Sequence, residues 1–459
     1  MSQTQTSSSP SVRILPSAST STSTSPSQPP RIEPHSNFDR ATADRLDQTD
    51  PLHHLRSEFS LPAPVYLCGH SLGARPNAVV EAVQTHLEKW GSRAVNGHFE
   101  EPQPWVCMEQ EPARLLMPLV GARYEHEVAV MNALTVNLHA MLTAFYRPHK
   151  WRTKILMEAH AFPSDMYAVH THIASRGLDP NENVVIVEPR AGESLLREQD
   201  LWECIDTNAQ SLALILLPGV QYFTGQVLPM KALATRARAH GIPFGLDLAH
   251  AVGNMELHLH DWQVDFAVWC SYKYLNSGPG ATGALFLHDK HADEPLARHA
   301  GWWGHCPQTR FEMRQQFQAQ RGAPGFQASN VPVLAVAPLI ASLQVFERAG
   351  GVAALRKKSI LLTHFLQVGL QRCLPNVVTI VSPLEAERRG CQLSLRLRVK
   401  ACAQEVCEML EKNGVVCDFR RPDVLRVAPV PLYNRFADVY VFVRALEATL
   451  AQLAAATAE

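Results

Sequence analysis

Two hydrophobic periods alternate along the middle of the chain. Continuous apolar runs stand at KILME (154–158), NVVIVEP (183–189), SLALILLP (211–218), IPFGLD (242–247) and DFAVW (265–269), each closed by polar or turn residues. Runs of this length read as strands buried on both faces. Between them, 195–208 and 230–240 carry apolar residues at helical spacing. Strand and helix in strict alternation predict an α/β fold around a mostly parallel sheet. ATGALFLH (281–288) reads as a return strand, and VAVMNALTVNLHAMLTAFY (128–146) as strand, turn and amphipathic helix. Upstream, helices are predicted near 38–48, over 105–120, and after Pro76, where Val79, Val80, Val83, Leu87 and Trp90 share one face and Gly91 ends the helix. Downstream, a helix through Val333, Val336, Leu339, Ile340, Leu343 and Phe346 ends at Gly350 and Gly351, and another covers 362–370. Short strands VVTIVSP, CQLSLRL, VVCDFR and VLRVAPV then alternate with helices AQEVCEML and DVYVFVRALEATLAQL, predicting a compact α+β domain.

A chain of 459 residues exceeds one hydrophobic core, and the pattern divides it into four parts. Residues 1–36 are Ser/Thr/Pro-rich and bury too little to offset the entropy of ordering, so they are expected to be disordered. They hold no apolar secretory core, and Arg13 and Arg31 are too few for a transit peptide. Residues 37–95 form an N-terminal segment expected to pack with the small domain, 96–330 the large domain, and 331–459 the small C-terminal α+β domain. A net charge of −1 without basic clusters argues against a nucleic-acid partner. No uninterrupted apolar stretch reaches the roughly 18 to 20 residues of a membrane span. Ten scattered cysteines without C-x-x-C pairs read as reduced thiols of a cytoplasmic protein. His258 and His260 in LHLHDW have spacing a metal can use on a strand, but no third ligand is in view; a surface position is expected, and no metal site.

The chemistry concentrates in FGLDLAHAVGN (244–254) and SYKYLNSGPG (271–280). Lys273 lies between two tyrosines beyond a core strand, where burying an ammonium is costly. Covalent attachment to a carbonyl cofactor, pyridoxal phosphate (PLP), removes that cost. Asp247 ends the preceding strand and supplies the carboxylate that keeps such a ring protonated as an electron sink, and His250 follows three residues later. Taken singly, Lys273 can snorkel and Asp247 can cap a helix. Asn132, Thr135 and Asn137 open a helix whose free N–H groups suit an anion. Phe162 can stack on a pyridine ring, and Asp165 can bond a ring substituent or cap its helix. Arg426 beside a strand end can grip a carboxylate through two parallel hydrogen bonds, or serve in a salt bridge.

Read together and in order, SLG (71–73), ALTVN (133–137), HAFPSD (160–165), DLAHAVGN (247–254), SYKYLNSGPG, GWWGH (301–305), FQASN (326–330) and RVAPVPLYN (426–434) resemble the kynureninase family over about residues 40–455. The resemblance implies a PLP-dependent fold type I enzyme, with a seven-stranded, mostly parallel sheet in the large domain and a smaller α+β domain. It implies hydrolytic Cβ–Cγ cleavage of L-kynurenine or 3-hydroxykynurenine to an anthranilate and L-alanine, in tryptophan catabolism and the kynurenine pathway to NAD. Lys273, Tyr272 and Asp247 become the expected catalytic residues, with Lys273 as general base and Tyr272 as proton shuttle. Expected cofactor contacts are Leu134, Thr135, Phe162, Pro163, Ser164, Asp165, Tyr222, Asp247, His250, Tyr272, Lys273, Trp302 and Asn330. Expected substrate contacts are Ser71, His98, His305 and Arg426, the last on the carboxylate. A homodimer with sites near the subunit interface is implied, some residues coming from the partner subunit. The chain departs from the family's YLDGNSLGxxP by Cys68 for Asp and His70 for Asn, places Val331 where a proline is usual, and has Pro218 where eukaryotic members carry a hydroxyl. A PLP-dependent desulfurase or selenocysteine lyase would share the lysine and aspartate but needs a reactive cysteine on a mobile loop. An inactive binding protein would have no use for Lys273, Tyr272 and Asp247 together.

Overall fold

A computed structural model describes residues 37–398 and 402–456; the expectation for 1–36 falls outside the described residues. Seven strands form the main sheet, in the order Val128–Val130, Ala284–Leu287, Phe266–Trp269, Phe244–Asp247, Leu212–Pro218, Lys154–Glu158 and Val184–Val187. The last five are mutually parallel, and Ala284–Leu287 runs antiparallel to both of its neighbours. Every residue of Leu212–Pro218 is buried, because helices cover both faces of the sheet. Close spacing within the sheet requires a glycine in the next strand: a Cβ at Gly245 would run into the Phe266 ring.

The small domain carries a four-stranded antiparallel sheet in the order Val378–Ile380, Leu393–Leu397, Val424–Val427, Asp418–Arg420. The run VVCDFR divides in two: Val415–Val416 leaves that sheet and pairs in parallel with Val65–Tyr66 of the N-terminal segment. Ala43, Val65 and Leu67 share one core with Phe365, Leu395, Val427 and Phe442.

Several expectations need correction. The helix after Pro76 runs Ala78–Arg93, straight through Gly91, and Pro76 itself belongs to a two-residue strand before it. Its apolar stripe is not core: Val80, Leu87 and Trp90 are exposed, while His86 and Lys89 are buried. The Lys89 ammonium explains this, donating to the backbone oxygens of Glu100, Pro102 and Gln103 at 2.5–3.3 Å and so turning the polar side inward. The helix expected over 105–120 begins at Gln110, after a single turn at Trp105–Cys107. The helix expected over 362–370 extends across Gly351–Cys373. His260 is not a surface residue: its Nδ1 lies 2.7 Å from Glu127 Oε1, and His288 stacks on its ring. Both Glu127 oxygens and both His288 nitrogens already have protein partners.

Among the described residues, Phe436–Ala456 is long and apolar enough to cross a membrane by length and composition, although its polar residues break any continuous run. Phe436, Val439, Phe442, Val443, Leu446 and Leu450 on this helix are buried in the small-domain core.

Candidate active site

The C-terminal ends of adjacent parallel strands converge on one cavity, where open α/β sheets place their ligands. Lys154–Glu158 delivers Glu158, Leu212–Pro218 ends at Pro218, and Phe244–Asp247 ends at Asp247 in register with Pro218. Lys273 follows four residues after Phe266–Trp269. The cavity holds about 220 Å³ and is lined by Glu158, Asp165, Asp247, His250 and Lys273. Leu134, Thr135, Phe162, Ser164, Tyr222 and Tyr272 also line it. Pro163 is the first residue of the helix that carries Ser164 and Asp165.

Lys273 is held by its neighbours. Its Nζ lies 3.1 Å from His250 Nε2 and 5.8 Å from the ring centroids of both Phe162 and Tyr272. Burial, reinforced by the Lys273 charge, holds the His250 imidazole well below its usual pKa, so the ring is neutral. A neutral ring with Nε2 accepting from the ammonium carries its hydrogen on Nδ1, and that buried atom has no partner among the described residues.

Three carboxyl groups meet at the floor. Asp247 Oδ1 accepts from the Ala249 N–H at 2.8 Å. Asp165 hydrogen-bonds Asp247, and burial together with the Asp247 charge raises its pKa well above the ordinary carboxyl value, so the bond between them carries a proton. Glu158 is buried, and desolvation, partly opposed by a hydrogen bond from its own backbone and aided by the Asp247 charge, pushes it up to about 8. Sequence reasoning missed Glu158; the only signal was an acidic residue ending an otherwise apolar core strand.

At the other end, Thr135 Oγ1 and Ser164 Oγ are 2.7 Å apart, beside the start of the Leu134–Phe145 helix. Gly283 keeps this approach open: a Cβ there would lie 3.2 Å from Leu134 N and 2.8 Å from Trp269 O. A helix N-terminus with two hydroxyls suits a phosphate, a carboxylate suits a ring nitrogen, and the lysine and the leftover His250 donor suit a carbonyl and a ring oxygen. The donor set therefore fits PLP.

The remaining expected residues lie outside this cavity. Arg426 is 1% exposed, and its Nε and Nη2 bind the two oxygens of Asp418, while Nη1 donates to Tyr222 O at 2.8 Å. Asp418 also meets His70 Nε2 at 3.1 Å. Burial opposes ionisation of Asp418, yet His70 and Arg426 hold its carboxyl far below the usual range. Ser71 belongs to the turn before the exposed helix, and in the same turn the Gly73 N–H donates to Tyr272 O at 2.8 Å, docking it on the Lys273 segment. His98 stands edge-on to Trp105 at 5.4 Å. His305 uses both ring nitrogens, against Thr309 Oγ1 and the Gln318 N–H. Trp302 is 47% exposed and donates to Arg310 O. Asn330 has a buried Oδ1 without a partner among the described residues.

Solved structures with the same fold include the cysteine desulfurase CsdA of Escherichia coli, at a TM-score of 0.72 and 17% identity, matched over 87% of this chain and 98% of that one. The C-DES enzyme with glycine covalently linked to its PLP cofactor gives 0.72 and 18%, over 85% and 98%. At these identities the likeness speaks for the fold alone. Sequence relatives go further. The kynureninase C-terminal domain model matches residues 355–446. Kynureninase of Xanthomonas oryzae pv. oryzae strain PXO99A is 49% identical over 415 residues, 89% of this chain and 98% of the relative. Identity at that level along almost the entire folded length means that the chain belongs to the kynureninase family.

Proposed function

We propose that this cavity is where L-kynurenine or its 3-hydroxy form is hydrolysed between Cβ and Cγ, yielding an anthranilate and L-alanine. The observation that carries this reading is Lys273 Nζ at 3.1 Å from His250 Nε2, in a cavity shared with Asp247, Phe162 and the Thr135–Ser164 pair. When bound, PLP draws electrons away from the bonds at the substrate's α-carbon. Lys273 Nζ takes and returns the proton at that carbon, with neutral His250 accepting from the lysine and steering it. Asp247, fixed by the Ala249 N–H and by protonated Asp165, would hold the ring nitrogen. Thr135 and Ser164 would hold the phosphate, and Phe162 would flank the ring. Burial pushes the Tyr272 phenol up, so it stays protonated at neutral pH and can give its proton to the carbon released when Cβ–Cγ breaks. Water supplies the hydroxyl that the acyl carbon gains and the proton that the methyl carbon gains.

Arg426 is read as the carboxylate site, Trp302, His305 and His98 as the seat of the aminophenyl ring, and Ser71 as a further substrate contact. Trp302 and Asn330 are read as phosphate contacts delivered across a homodimer interface. Exposed Trp90, Val95, Phe99, Trp302 and Phe311 support that interface, since so much exposed aromatic surface is costly unless covered. The folded chain is read as an N-terminal segment over 37–95, a large domain over 96–330 and a small domain over 331–459. Ten free thiols support a cytoplasmic setting. A desulfurase reading is disfavoured because no cysteine lines the cavity among the described residues.

The test is anthranilate fluorescence after mixing the protein, PLP and L-kynurenine. A rise that disappears in Lys273→Ala is expected. A flat trace with both L-kynurenine and 3-hydroxykynurenine would overturn the reading.

A further inference from the structure

We propose that Arg420 is a second carboxylate-recognising residue, sharing the substrate's α-carboxylate with Arg426 on one face of the small-domain sheet. The proposal rests on reading Arg426 as the carboxylate site and adds a partner to it. Strand geometry places them together. Asp418 and Arg420 are two residues apart on Asp418–Arg420 and so project to the same side, and Asp418 lies directly opposite Arg426 on the neighbouring strand.

The charges there do not balance. Two guanidinium groups share one carboxylate: Asp418 meets Arg426 through both oxygens and Arg420 Nη1 at 3.3 Å. His70, the other group on Asp418, is held neutral, its pKa lowered to about 4 by burial and then by Arg426. Burial and the like charge of Arg426 also lower the pKa of Arg420, the mark of an uncompensated pair of cations. A substrate carboxylate is the missing counter-charge.

The two arginines are not equally free to supply it. Arg426 is 1% exposed and has committed Nε, Nη1 and Nη2 to Asp418 and Tyr222 O, leaving one N–H on each terminal nitrogen. Arg420 is 35% exposed and engages only Nη1, with Phe419 O and Asp418; its Nε and Nη2 have no partner among the described residues. Arg426 Nη1 is bonded to the backbone oxygen of Tyr222, a residue that lines the cavity, so the arginine pair borders the reacting end. An incoming carboxylate bridged between the two guanidiniums satisfies both without removing Asp418.

The test compares L-kynurenine as substrate with its decarboxylated amine as competitive inhibitor, in PLP-loaded wild type, Arg420→Gln, Arg420→Lys and Arg426→Gln. Arg420→Gln should raise KM for L-kynurenine about tenfold to a hundredfold, the range of a lost charge-assisted hydrogen bond, with kcat little changed. Its Ki for the amine should stay at the wild-type value. Arg420→Lys keeps the charge without the fork and should fall between; it also carries the test if the glutamine variant does not load PLP. Equal weakening of substrate and amine would mean that Arg420 only supports the fold, and overturns the proposal. An unchanged KM in Arg420→Gln beside a raised one in Arg426→Gln also overturns it, with the Arg426 reading intact. No effect from either arginine would overturn both.

Discussion

Replacing Glu158 with glutamine probes the floor of the cavity directly. Glu158 is 3% exposed at the end of a buried strand, with Asp247 and Asp165 as its acidic neighbours. Burial, against a backbone hydrogen bond that partly opposes it and with a smaller push from the Asp247 charge, raises its pKa from 4.5 to about 8. The folded protein thus holds a proton that the unfolded chain releases across that interval. The stability this group contributes is fully present below about pH 4.5 and is lost as pH rises through 8. That interval corresponds to roughly 5 kcal/mol at 1.36 kcal/mol per pH unit. Glutamine has nearly the shape of the protonated acid, donates as it does, and never ionises. In the PLP-free enzyme, the stability of Glu158→Gln relative to wild type should therefore climb by about 5 kcal/mol between pH 4.5 and 8.5. Urea unfolding followed by far-UV circular dichroism at stepped pH measures this difference. Parallel stability curves for the two proteins would refute the reasoning, because they would mean Glu158 is already ionised at neutral pH.

Two further outcomes follow from the Asp418 cluster. Asp418→Asn leaves the buried Arg426 guanidinium without its counter-charge and should cost about 3–5 kcal/mol in equilibrium unfolding; a loss under about 1 kcal/mol would contradict the buried pair. His70 has a folded-state pKa lowered from 6.5 to about 4, so its contribution is fully present above pH 6.5 and is lost as pH falls toward 4. The stability advantage of wild type over His70→Asn should accordingly shrink by about 3 kcal/mol between pH 7 and pH 4, and a constant difference would count against a buried neutral imidazole.

Much of the architecture was legible because both-face burial leaves a signature one strand long. LALILLP admits no polar residue, and IPFGLD and DFAVW show the same continuity. Position and the family resemblance together singled out Lys273, Asp247, His250 and the Thr135 and Phe162–Asp165 turns, all at strand or helix ends, where the side chains of one cavity must originate. The failures have a common cause in partners distant along the chain. The stripe Val80, Leu87, Trp90 has the periodicity of a core face, but periodicity does not say which face the fold covers, and the carbonyls that capture Lys89 come from a loop 11 to 14 residues away. Gly91 was read as a stop, yet an exposed helix tolerates glycine at about 1 kcal/mol. His260 was read as solvated because Glu127, its partner, lies 133 positions earlier. Arg426 was expected either to grip a carboxylate or to join a salt bridge, and what spacing could not name is the partner, Asp418, which holds two of its three nitrogens.

The site joins two regions of opposite character, and Tyr222 is where they meet. The floor on the large sheet is rich in carboxyls, yet it carries less negative charge than its composition suggests, because Asp165 and Glu158 hold their protons at neutral pH. The wall on the small sheet has two guanidiniums for one carboxylate. On the proposed reading, an amino acid entering between them would be oriented by charge, its carboxylate toward the arginines and its α-carbon toward Lys273. The backbone oxygen of Tyr222 accepts from both Arg426 and Gln392 of the small sheet, while its ring stands edge-on to Phe162 at 5.3 Å inside the cavity. Ser394 Oγ fastens the next residue by donating to Phe223 O. A carboxylate that pulls on Arg426 therefore pulls on the Tyr222 backbone, and through it on the aromatic edge beside Lys273. If the arginines take the substrate carboxylate as proposed, recognition on one sheet and proton transfer at Lys273 on the other are linked by a single loop, and an amine without that carboxylate loses both an ion pair and this hold on the cavity wall.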